Sequence, residues 1–74
     1  MYVEKWDKES RNFRKQFPSE TTYSTNVVNG ELLFQIQTYA ASQQTGGAKQ
    51  TIQFNKQGAI DLIEILKREF NLPL

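Results

Sequence analysis

Asn29-Gly30 is the strongest local instruction in this chain. A two-residue hairpin turn of type I′ needs positive φ at both central positions, and this dipeptide adopts that conformation cheaply. Such a turn fixes a register, pairing Val28 with Glu31, Val27 with Leu32, Thr25 with Phe34 and Tyr23 with Ile36. The last three pairs share a face that is apolar or β-branched, as a core face should be. The opposite face receives Ser24 with Gln35 and Thr22 with Gln37, an amide and hydroxyl surface on which Leu33 and Tyr39 also fall.

A further strand is expected at Gln50-Thr51-Ile52-Gln53-Phe54, where Ile52 and Phe54 share the core face and Thr51 and Gln53 point away. The period then changes. Asn55 can cap a helix running from Lys56 to about Phe70, on which Ala59, Leu62, Ile63, Leu66 and Phe70 form one stripe, widened by Ile60 and Ile65. Glu64 and Arg68 make a favourable i,i+4 pair, and Asn71 with Pro73 ends the element. Gly58 weakens the first turn unless it is there to let the helix pass close to a strand.

The first 20 residues admit two readings. Val3, Trp6, Phe13 and Phe17 approximate helical spacing with Asp7 as a cap, whereas Tyr2 to Trp6 and Phe13 to Phe17 also alternate as strands do. A short strand near Arg11 to Phe17 is the expectation adopted, because a hairpin and one strand make a narrow sheet for so apolar a helix. Residues 40 to 50 are small, polar and almost uncharged, and are expected to form the most mobile loop.

Several function classes are excluded by what is missing. With 74 residues the chain makes one small domain, too short for a Rossmann or barrel enzyme. It has no cysteine and no histidine, which removes disulfides, thiol nucleophiles, most zinc sites and the commonest general base. No cofactor is expected, no metal ligand set is spaced for one, and no enzyme signal is present. The sequence opens without a signal peptide and never nears the run of roughly 18 apolar residues that a membrane span needs, so a cytoplasmic or intracellular setting is expected.

Nine Lys and Arg balance eight Asp and Glu, so any taste for nucleic acid must come from where the cations stand. Arg11, Arg14 and Lys15 interleave with Phe13 and Phe17, while Lys49 and Lys56 are the only charges between Glu31 and Asp61. Aromatics beside cations can stack bases and attract phosphates, and the same residues could equally be core aromatics with a solvated charged face. Gln35, Gln37 and Gln53 on the polar sheet face could hydrogen-bond a nucleic acid without any strong field. Trp6 and Tyr39 fit either a protein interface or a structural role.

The stretch from Asn29 to Phe70 resembles the core of PC4-like transcriptional coactivator domains. The likeness runs through Gly30-Glu31-Leu32-Leu33-Phe34-Gln35-Ile36-Gln37-Thr38-Tyr39, a glycine-containing loop, Gly47-Ala48-Lys49-Gln50-Thr51-Ile52-Gln53-Phe54 and the helix from Lys56. The resemblance implies a small homodimer that binds single-stranded DNA on a curved antiparallel sheet, with helices forming much of the dimer contact. It places Lys49 at the family's lysine leading into a strand, and Arg14 and Lys15 in its basic segment. Gln37 stands where that family commonly has arginine, and Ala59 or Ile60 where it often has an early helical aromatic.

The expected protein is therefore a single α+β domain over residues 1 to 74. An ambiguous segment 1–20 precedes an antiparallel sheet of three to four strands over 21–54 and one amphipathic helix over 55–70. A homodimer is expected to bury Ile60, Ile65 and Phe70. The expected function is non-enzymatic binding of single-stranded nucleic acid through Arg11, Phe13, Arg14, Lys15, Gln35, Gln37, Lys49, Gln53 and Lys56. The alternative is a small regulator of phage or plasmid type that engages a host protein through its polar sheet or an exposed strand edge.

Overall fold

The computed structural model describes residues 1–16, 18–39 and 49–74. Phe17 and most of the loop expected at residues 40 to 50 lie outside them. The chain forms β1 (Thr21–Val28), β2 (Glu31–Tyr39), β3 (Lys49–Phe54) and α1 (Lys56–Phe70), with the strands in one antiparallel sheet of order β1-β2-β3. This is the α+β class.

Asn29 and Gly30 turn the chain at φ 51° and φ 79°, the paired positive values that a type I′ turn requires. A side chain at Gly30 would meet nothing within 4 Å, so glycine is needed there for its backbone freedom and not for space. The turn imposes the register anticipated from the sequence, Val28 on Glu31 through Tyr23 on Ile36, with Ser24 on Gln35 behind. β3 continues it, placing Ile52 on Ile36 and Phe54 on Phe34.

One residue, Asn55, separates β3 from α1. Its side chain accepts from the Gly58 amide at 3.0 Å and its own amide donates to Glu31 at 2.9 Å, so the cap also ties the helix start to β2. At the other end Asn71 takes the left-handed conformation and its backbone N–H returns to the Lys67 carbonyl. So short a connection makes the helix fold straight back along the sheet, where it packs on β2 and β3 but does not touch β1.

An aromatic row crosses the inner face of the sheet. The Tyr23 and Phe34 rings stack at 5.4 Å, Phe34 and Phe54 stack at 5.4 Å, and Trp6 meets Phe54 edge-on at 6.0 Å. Burial falls steeply along this row, with Phe54 at 4% exposure and Tyr23 at 74%. The core is thus confined to the end of the sheet face that the helix covers.

The N-terminal segment departs from the expected strand at Arg11 to Phe17. Residues 11–16 have no regular structure, and the edge of β3 is taken instead by Tyr2, which pairs in parallel with Gln53. Val3 donates to the Gln53 carbonyl and Gln53 to the Met1 carbonyl, both at 2.8 Å. The physical reason lies in the faces: in the 11–17 run Lys15 stands between Phe13 and Phe17, so neither face is apolar enough to lie on a core. Trp6 then anchors the strap by donating its indole N–H to the Gly58 carbonyl at 3.1 Å, and Lys8 reaches Glu69 at 3.1 Å. Among the described residues no helix is long and apolar enough to cross a membrane.

Gly58 is where strap, strand and helix come closest. A Cβ there would stand 2.8 Å from Phe54 Cβ, nearer than real contacts allow. Gly58→Ala should therefore lose about 1 kcal/mol or more of stability in urea unfolding, the overpacking outweighing the usual helix-propensity gain. A variant more stable than the parent would show that Phe54 has room to move.

Candidate nucleic-acid interface

The outer face of the sheet carries no charge over its centre. Register places Ser24, Gln35 and Gln53 in one row across it and Thr22, Gln37 and Thr51 in the next. Gln53 donates its side-chain amide to the Gln35 carbonyl oxygen at 2.6 Å, and Gln37 donates to the Thr51 hydroxyl at 3.4 Å. Each link uses one polar group and leaves others free, so the face presents an ordered array of amide donors and acceptors. Beside the Gln35–Gln53 pair lies a hollow of about 210 Å³ lined by Ser24, Asn26, Val28 and Leu33. Asn26 and Val28 were not singled out as site residues, although the same alternation that selects Gln35 places them on this face.

Several cations fall at one end of the sheet through the path of the chain. The Tyr39 amide donates to the Glu20 carbonyl at 3.1 Å, which brings the end of the N-terminal segment to the sheet end remote from the Asn29-Gly30 turn. Lys49 pairs with Tyr39 at the same end. Because α1 starts near the turn and runs back, its last turn, with Lys67 and Arg68, belongs there as well.

Most of these cations are compensated. Arg11 is held by Glu9 at 3.3 Å, Lys67 by Glu64 at 3.8 Å, and Lys8 and Arg68 share Glu69. Arg14 and Lys15 are exposed and meet no carboxylate among the described residues. Phe13, between Arg11 and Arg14, is 93% exposed, which removes it from the core. It shares a shallow concavity with Asp7, Glu9 and Arg11.

The expected site residues therefore divide into separate places. Gln35, Gln37 and Gln53 are together on the outer face, and Arg11, Phe13, Arg14 and Lys15 stand in the irregular, exposed segment that precedes β1. Lys56 does not join them. It opens the helix and lines a groove of about 480 Å³ on the inner face, with Leu32, Phe34, Phe54 and Ala59. Of the residues expected at a dimer contact, Ile60 and Phe70 are exposed and Ile65 is half-buried.

Scans of the chain against protein-family models, curated proteins and solved structures return no match.

An aromatic so exposed contributes nothing to folding that its loss would reveal. Phe13→Ala should leave the unfolding free energy within about 0.5 kcal/mol of the parent. A larger loss in denaturant titration would place the ring in contact with the body of the protein.

Proposed function

We propose that this protein is a non-enzymatic binder of single-stranded nucleic acid, acting inside the cell. The observation that carries the reading is Phe13, exposed at 93% and flanked by Arg11, Arg14 and Lys15, of which Arg14 and Lys15 meet no carboxylate among the described residues. A bare aromatic ring beside two free cations offers a stacking platform and phosphate attraction together. An unpaired base can reach such a ring, and a base inside a duplex cannot. The amide face of the sheet supplies hydrogen-bond partners for bases or sugars without a net charge. The likeness of residues 29 to 70 to PC4-like domains points to the same ligand class.

A second reading, a regulator that binds another protein, is favoured by the open apolar groove between Leu32 and Ala59. The two readings separate in one titration. Fluorescence anisotropy of labelled single-stranded and duplex oligonucleotides, at two salt concentrations, should show single-strand binding that weakens steeply as salt rises. Arg14→Glu combined with Lys15→Glu should lower affinity at least tenfold. Phe13→Ala should lose the stacking contribution of about 1–3 kcal/mol, which is roughly 5- to 150-fold in Kd. Absence of binding at low salt, or variants that bind as the parent does, would move the reading to the protein partner.

A further inference from the structure

The two edges of the sheet are treated differently. The β3 edge is covered by residues 1–3, whereas β1 presents its whole outer edge to solvent, with every residue from Thr21 to Val28 exposed. Proteins ordinarily protect such an edge with charges, proline, a bulge or a covering loop. β1 reads Thr-Thr-Tyr-Ser-Thr-Asn-Val-Val, without charge, proline or glycine, and is regularly paired along its full length to β2.

The phase of the ladder shows what this edge offers. Tyr39 donates to the Glu20 carbonyl, so Glu20 and Tyr39 are a hydrogen-bonded pair, and alternation makes Thr22–Gln37, Ser24–Gln35, Asn26–Leu33 and Val28–Glu31 the others. The backbone N–H and C=O groups of Thr21, Tyr23, Thr25 and Val27 therefore point outward. Those same residues carry the side chains of the inner face, where Tyr23 is 74% and Val27 62% exposed. Backbone groups without a partner among the described residues and uncovered apolar side chains thus coincide on one strand.

We propose that β1 pairs with β1 of a second copy of this chain, antiparallel about a two-fold axis through Thr25, giving one continuous six-stranded sheet. Charge favours a second copy over a foreign strand. A two-fold axis sets the residues near it against their own kind, which a charged strand resists, and β1 alone among the three strands has no charged residue, β2 carrying Glu31 and β3 Lys49. The register centred on Thr25 sets Thr25 against Thr25 and Tyr23 against Val27, twice, with all the outward-pointing groups from Tyr23 to Val27 in hydrogen-bonded pairs. Aromatic with β-branched and threonine with threonine are favourable cross-strand partners.

Surface area agrees. A compact monomer of this length exposes about 4,700 Å². This chain exposes 6925 Å², an excess larger than the ~800 Å² each partner gives to a standard interface. The axis stands perpendicular to the sheet, so both helices lie on one face, flanking Tyr23 and Val27 from each copy. Ile63, Leu66 and Phe70, which α1 leaves exposed beside the groove, then border a shared apolar floor.

The inference is independent of nucleic-acid binding and is tested without it. Sedimentation or light scattering at micromolar concentration should give a dimer, and Thr25→Lys, which sets two like charges together on the axis, should give a monomer with unchanged circular dichroism. The chain has no cysteine, so Thr25→Cys introduces its sole thiol. A hydrogen-bonded pair separates Cα atoms by about 5.5 Å, inside the disulfide range, and mild oxidation should link Thr25→Cys into a covalent dimer much faster than Gln57→Cys on the helix. A parent that stays monomeric, a dimer indifferent to Thr25→Lys, or equal cross-linking of the two cysteine variants would each overturn the proposal.

Discussion

Phe54 joins the parts of the molecule. It ends β3, is separated from the helix by Asn55 alone, stacks on Phe34 of β2, meets the Trp6 ring edge-on and lies against Gly58. Among the described residues it is the one hydrophobic side chain that is buried. A core this small leaves little freedom in where the helix goes. With Asn55 as the whole connection and Gly58 pressed on the ring, α1 starts over Phe54 and runs back along β3 and β2. The span to β1 is then beyond its reach, and the far end of the aromatic row is left bare. The open face of β1 is thus a consequence of how closely the helix is tied to the end of β3.

What the sequence made legible was decided by local rules. The Asn29-Gly30 turn and strand alternation together specify every β1–β2 pair, and alternation alone suffices to place Gln35, Gln37 and Gln53 on one face. Asn55 and Asn71 bound the helix because capping chemistry lies within one turn of each end. What stayed hidden depends on contacts between distant segments. Tyr2 reaches Gln53 in competition with the 11–17 run, and no periodicity says which segment takes that edge. The partner of the Trp6 indole is a backbone carbonyl, which leaves no side-chain signature.

The helix illustrates the same division. Its 3.6-residue period correctly marks a broad apolar stripe, but the period cannot say which line of the stripe faces the sheet. Gly58 decides that, since its close approach turns the line through Leu62 and Ile65 inward and leaves Ile63, Leu66 and Phe70 to the side. Lys56 is separated from the glutamines for a related reason. It is close to β3 in sequence, yet the chain has changed faces by the time it enters the helix.

The cationic segment and the uncharged face also constrain one another. A face of glutamine, serine and threonine attracts a polyanion weakly, so long-range attraction has to come from the cationic end where Arg14 and Lys15 lie. In a single copy that end serves one side of the face only. In the pairing through β1 the two-fold axis sets the cationic end of one copy diagonally across from that of the other, with six strands of amide surface between them. Strands about 4.8 Å apart make that surface about 24 Å across, longer than the Debye length of about 8 Å at physiological salt. In the proposed pairing the two cationic ends are therefore electrostatically independent, and a single strand bridging both would be held by linked weak sites, with the gain coming from effective concentration and not from a continuous basic groove. An almost neutral chain can bind a polyanion on those terms, because the overall charge then matters less than the distance between two small clusters.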